Sequence, residues 1–421
     1  MADLNIGKAP GNSAILPFYA TGAVAFLILC VVMFCTPETF TGHYFTPHML
    51  TIVHIAALGW GTMVIFGAAH QLLPVICEQN LYSEKMASVS WYTLTAGIIL
   101  LTWKFWTLEA GWLMISGGSL VVLSVVLFLI NVVKTSASCG SYNAQKLFIT
   151  ASAVWLLFTV TFGLLLAINL KTPIFATSHL ELLRLHAHMG LAGWFLQLIS
   201  GVSTKLVPMF LLGKSEKEHV LRKAFIFQNL GLLAFLADGF FTGLTWRSVL
   251  YAFLVLTGVV FWLVYLYDCF RNRLRKRVEL LMKHTFLSFV SLILAVLLIP
   301  LIHQSEGHRW TMVYGMLIFL GWITGIILGK TFKTLPFIIW NGHYKHLSGK
   351  VKVPLPKDLY SEALTRWQFR CYIAAFVILA AGLIAQHLVL IRTGLGFWVM
   401  VALLYVWNVF RLLLHKTKKI S

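Results

Sequence analysis

The stretch Leu182-Leu-Arg-Leu-His-Ala-His-Met-Gly-Leu-Ala-Gly-Trp194 puts two imidazoles, His186 and His188, inside an apolar run that continues to Leu212. On an α-helix their two-residue spacing is about 200° of rotation, so the rings leave opposite sides of one helix. A single buried His usually closes a hydrogen bond within a core. An imidazole within a membrane span is costly unless it pairs or binds something, and is therefore read first as a functional residue.

That the run is a membrane span follows from composition. Apolar residues make up 59% of the 421, only 11% are charged, and the mean hydropathy is +0.83, values a soluble chain of this length could not carry on its surface. A spanning helix needs about 20 apolar residues. About twelve such runs are present, near 14–36, 48–76, 87–107, 112–133, 147–170, 182–211, 224–243, 248–269, 285–303, 310–332, 371–391 and 394–414. None alternates polar and apolar residues as a membrane β-strand would. The fold class is an all-α polytopic membrane protein.

The net charge of +19 would suggest nucleic acid in a soluble protein, but its placement assigns it to topology. Lys and Arg gather after the even-numbered spans, at Lys134 and Lys146, at Lys214 to Lys223, at Arg271 to Arg277 and at Lys345 to Arg370. The other loops carry few, such as Lys171, Arg247 and Arg392. The positive-inside rule then places both termini in the cytoplasm of a cell whose inner membrane holds the chain. The lipid bilayer is the partner these charges imply, and no nucleic acid is expected. No cleavable signal peptide is expected, because the first twelve residues are polar. Six scattered cysteines, Cys139 among them near the cytoplasmic side, imply no disulfide framework.

An internal repeat organises the chain. Leu58-Gly-Trp60, Gly67 and Leu73-Pro74 recur as Ala192-Gly-Trp194, Gly201 and Val207-Pro208, and again as Leu320-Gly-Trp322, Gly329 and Leu335-Pro336. The three Trp residues lie 134 and 128 residues apart, so each copy opens a new block of four spans. Three pseudo-symmetric four-helix blocks are expected, over approximately 14–133, 147–269 and 285–414. Glycines let the helices approach closely, and each Pro is expected to end its helix at the cytoplasmic face.

The frame aligns the histidines. Six residues before the three Trp residues lie His54, His188 and Met316, and two residues earlier lie Ile52, His186 and Tyr314. His54 is thus at the depth of the His186/His188 pair, in the outer half of its span. Two imidazoles at one depth are what a low-spin heme takes as axial ligands. A closed zinc site would want four ligands, and these helices offer no Cys or carboxylate near that depth. Strict symmetry would pair His54 with His186, the ring on the opposite side of the helix. Arg184, at the outer end of the same helix, could bind heme propionates, as could Arg309 and Arg392. His70 lies about 24 Å further along the axis than His54, too far to share its heme.

Twelve spans in three blocks, the His-x-His pair and the run from His54 to Pro74 resemble subunit I of the heme-copper oxidase superfamily, with the second span similar to the nitric oxide reductase branch. The resemblance implies a low-spin heme on His54 and His188, a second heme on His186, b-type heme as cofactor, and electrons from quinol, cytochrome c or a partner subunit. It also implies respiratory oxidoreductase activity. The sequence departs from that family in two places. The His-x-His pair is on the sixth span where the family has it on the tenth, and the tenth carries Tyr314 and Met316. The His-His pair that helps the family hold copper or non-heme iron is missing, leaving only His303, His308 and His387 toward the outer side, with His43 and His48 beside the second span. A heme protein without oxygen turnover (gas sensing, electron transfer or heme handling) and a membrane transporter built of repeats are the other function classes the sequence allows.

Overall fold

The computed structural model describes residues 10–137, 144–305 and 307–417; the polar amino terminus before residue 10 and Cys139 lie outside them. Within them, twelve helices are long and apolar enough to cross a membrane: α1 Asn12–Cys35, α2 Pro47–Cys77, α3 Glu84–Thr107, α4 Trp112–Ala137, α5 Ala144–Lys171, α6 His179–Leu211, α7 His219–Thr242, α8 Arg247–Arg271, α9 Leu280–Gln304, α10 Arg309–Leu347, α11 Glu362–Ala385 and α12 Leu388–Leu413. Helices are the consequence of the solvent: in hydrocarbon every backbone N–H and C=O must be met within the segment itself. The shortest, at 24 residues, reaches about 36 Å at 1.5 Å per residue, enough for a hydrocarbon core of about 30 Å.

The chain forms two compact units. One holds α1, α2 as far as Leu72, the last turn of α3 and α9 to α12; the other holds the remainder of α2 and α3 together with α4 to α8. Three helices are buried far more than the rest. The apolar windows of α2, α6 and α10 are 72%, 72% and 78% enclosed, whereas no other exceeds 44%. These are the three helices that carry the Gly-Trp frame.

Each of them packs on the first helix of its block in the same register. A Cβ placed on Gly67 of α2 would lie 2.8 Å from Phe18 Cβ and 3.4 Å from the Ile15 carbonyl of α1. At Gly201 of α6 the corresponding contacts are Phe148 Cβ at 2.6 Å and the Gln145 carbonyl at 3.3 Å on α5. At Gly329 of α10 they are His284 Cβ at 3.0 Å and the Leu281 carbonyl at 2.7 Å on α9. In every copy the glycine meets a residue and the carbonyl three positions before it, so the repeat is a repeat of helix packing. One step before the Trp, Gly193 and Gly321 likewise face Trp155 and Ser291 of those first helices.

The three frame helices share a second feature. Each winds as a π-helix around its Trp, over Ile55–Thr62, Met189–Leu196 and Leu317–Ile323. The N–H of Met63 reaches back five residues to the Leu58 carbonyl, and that of Thr324 to Phe319. Such widened turns, each holding an extra residue, are found frequently at functional sites.

Two expectations need correction. Pro74, Pro208 and Pro336 do not end their helices; all lie inside them, because a bundle interior tolerates the lost hydrogen bond when neighbouring groups meet the freed carbonyl. The last two spans also divide earlier than 391–394. Gln386 turns left-handed (φ +52°) to close α11, and His387 caps α12 by accepting from Leu390 N–H, so the apolar run from Leu388 belongs to the following helix.

Candidate functional site

His188 is the last α-helical residue of α6 before its π segment. Its Nδ1 lies 2.8 Å from the Arg184 carbonyl one turn earlier, and its ring rests 5.1 Å from that of Phe235 on α7. His186 turns the other way, as the spacing requires. Its Nδ1 lies 3.1 Å from the Thr159 carbonyl of α5, and its ring occupies the space that a side chain at Gly163 would fill, Cε1 being 2.7 Å from where that Cβ would stand.

His54 is built like His188. It is the last α-helical residue of α2 before the π segment, its Nδ1 lies 2.7 Å from the Leu50 carbonyl one turn earlier, and its ring is 4.4 Å from Phe105. The entry to this helix is set by Pro47 at its first turn and by Thr46, whose hydroxyl accepts from Met49 N–H.

The three hydrogen bonds decide the chemistry of the rings. A carbonyl only accepts, so Nδ1 must carry the proton in each ring, and a neutral imidazole so held keeps its lone pair on Nε2. This is the arrangement of a metal-ligating His: one nitrogen anchored through its N–H to backbone, the other basic and oriented. The residues present therefore fit an axial role toward a heme iron. In the third copy, Met316 stands at the His54 and His188 register as the last residue before the π segment, and is buried.

The other histidines are distributed differently. His308, before the first turn of α10, packs edge-on to His43 with ring centroids 4.3 Å apart, His48 lies against Trp106 at 4.2 Å, and His387 is engaged as a helix cap. Among the described residues no group of three or more His, Cys, Asp or Glu gathers in a way that could hold a metal ion. His70 is enclosed between Phe18 and Phe66 at 5.6 and 6.3 Å. Of the arginines, Arg184 is exposed at the start of its helix, Arg309 covers Trp310 and reaches the Ile384 carbonyl, and Arg392 lies over Phe34.

One polar assembly was not visible in the sequence. Gln197, just past the π segment of α6, donates to Gln228 Oε1 at 3.1 Å and accepts from Asn229 Nδ2 at 3.2 Å, and Asn229 in turn accepts from Trp155 Nε1 at 2.8 Å. The ladder ties α5, α6 and α7 together beneath the histidine pair, each such bond within a membrane bundle adding about 0.6 kcal/mol on average. Its members lie on three separate helices, so no local spacing announces them.

No protein-family model matches the chain and no curated protein matches it in sequence. Solved structures do resemble it in shape. A heme-copper terminal oxidase, determined as a dimer by cryo-electron microscopy, superposes with a TM-score of 0.67 over 97% of this chain and 84% of that one, at 11% sequence identity. At that identity the likeness shows a shared fold.

Proposed function

We propose that this multi-pass membrane protein is a heme-binding redox protein, with His54 and His188 each serving as an axial ligand to low-spin heme and His186 as the ligand to a second heme. The observation that carries the reading is the common anchoring of the three rings: Nδ1 sits on a backbone carbonyl and leaves Nε2 as the ligand nitrogen in all three. The fold likeness to a heme-copper terminal oxidase supports it. Bound heme supplies an iron that exchanges single electrons. The chain supplies position: Leu50 and Arg184 carbonyls orient the two similar rings, Thr159 and Gly163 fix the third, and the Arg184 side chain would be the partner of a propionate.

The heme is b-type in this reading and is held without a covalent link, the Cys-x-x-Cys-His run of c-type attachment being absent from the sequence. Electrons come from quinol, a cytochrome c or a partner subunit. Tyr314 and Met316, standing where the second copy has His186 and His188, favour electron transfer, gas binding or heme handling over rapid oxygen reduction.

The test uses His54→Gly, His188→Gly and His70→Ala in the full-length protein. The first two should lose most of the six-coordinate low-spin absorption and regain it on addition of free imidazole, while the third keeps it. Retention of the low-spin spectrum in both glycine variants would rule these residues out as ligands.

A further inference from the structure

The third copy departs from the other two at a place far from the His54 register. The residue facing the frame glycine is Phe18 in the first copy and Phe148 in the second, but His284 in the third. The surrounding geometry is retained. Phe148 stands edge-on to Phe225 of α7 at 5.2 Å and 86°, and His284 stands edge-on to Phe369 of α11 at 4.7 Å and 79°. The residue before Phe225 is Ala224 and the residue before Phe369 is Gln368, both fully enclosed. An apolar pair, Phe and Ala, has become a polar pair, His and Gln, in the same packing frame.

Neither ring nitrogen of His284 and neither polar atom of the Gln368 amide has a hydrogen-bonding partner among the described residues. The same holds for the indole N–H of Trp398 on α12. All three residues are 0% exposed, and all three surround Tyr372. The His284 ring is 5.1 Å from it, the Trp398 ring 5.4 Å, and Gln368 lies one helical turn before it on the same buried face of α11. Tyr372 does not satisfy them: its hydroxyl donates toward the backbone carbonyls of Leu320 and Gly321, and none of their polar atoms reaches its oxygen. A buried donor or acceptor left unmet forfeits its hydration with nothing in return, and native interiors rarely leave one so.

The unmet atoms are of both kinds. A neutral imidazole presents one donor and one acceptor, the amide presents both, and the indole only donates. A cation would meet the lone pairs and strand the N–H groups; an anion would do the reverse. Molecules that both donate and accept meet both kinds, and buried waters with two to four partners are a regular part of protein structure.

We propose that His284, Gln368 and Trp398 enclose ordered internal water around Tyr372, a hydration site within the unit that holds α9 to α12. It begins about 6 Å inside the end of α9, His284 being the fifth residue of that helix. Trp398, about 15 Å from the opposite end of the bundle, marks its inner limit. His284 both accepts and donates, so it continues the hydrogen-bond chain through the water rather than ending it. The site is independent of the heme reading.

X-ray radiolysis of the full-length protein in ¹⁸O-water, read by mass spectrometry, tests this, since bound water oxidises the side chains beside it. Tyr372 and Trp398 should take up ¹⁸O several-fold faster than Trp60 and Trp262, which are equally buried but have their N–H groups bonded to Thr324 and Ser203. In the double variant His284→Phe, Gln368→Ala, which recreates the second copy's pair, the rate at Tyr372 should fall to that of the controls. Uptake at Tyr372 and Trp398 no faster than at the two control tryptophans in the unaltered protein would overturn the proposal, as would unchanged uptake in the double variant.

Discussion

Gly163 is the residue on which the position of His186 most directly depends. A methyl group there would stand 2.7 Å from Cε1 of the imidazole, closer than real contacts permit, so the ring must move or α5 must. Overpacking of this kind costs about 1–3 kcal/mol. Gly163→Ala is therefore expected to lower the thermal midpoint measured in detergent and to alter whatever spectral signal His186 contributes, leaving that of His188 in place. An unchanged midpoint and spectrum would mean that the ring is not held where it is described. The importance of Gly163 was not legible in advance, because a glycine amid the apolar residues of α5 has no local pattern that distinguishes it from a packing residue. His284 and Gln368 went unread for a similar reason: each is one of several polar residues near the start of its span, and only packing brings them to one turn of α11. His186 and His188, by contrast, declared themselves through spacing alone, since rotation along a helix is fixed before any partner is known.

At the scale of elements, the π segments explain how the packing frame and the ligand register coexist on one helix. The glycine after each segment must face the first helix of its block, while the residue before it, His54 or His188, must face elsewhere. An extra residue in the turn between them adjusts one face without moving the other. Inserting one residue between His54 and the segment, an Ala after His54 for instance, should rotate His54 by about 100° relative to Gly67, since the turn already holds its extra residue. The expected result is a protein that still elutes as a folded species yet has lost the low-spin signal due to His54. If that signal survives, the widened turn has no part in aiming the ring. The Gly-Trp pattern marked where these turns lie, although nothing in it revealed their winding. Helix ends were read less well than helix existence. Apolar composition could not show that the chain turns at Gln386 rather than after Ile391, and Pro74, Pro208 and Pro336 are absorbed within the bundle.

For the whole molecule, three copies of one packing arrangement have been given different chemistry. The second copy carries a histidine on each side of its frame helix and a polar ladder beneath them. The first carries His54 alone at that register. The third carries Met316 there and places its unmatched polar groups around Tyr372 instead. The twelve spans and the repeat were legible because hydropathy and glycine spacing are properties of the chain itself, whereas the cofactor is inferred from how three rings are anchored. That inference is tested most directly by quantifying heme in the purified, full-length protein by pyridine extraction. The expected result is at least one b-type heme per chain, with a six-coordinate low-spin component in the spectrum before extraction. A colourless protein that takes up no heme on reconstitution would contradict it.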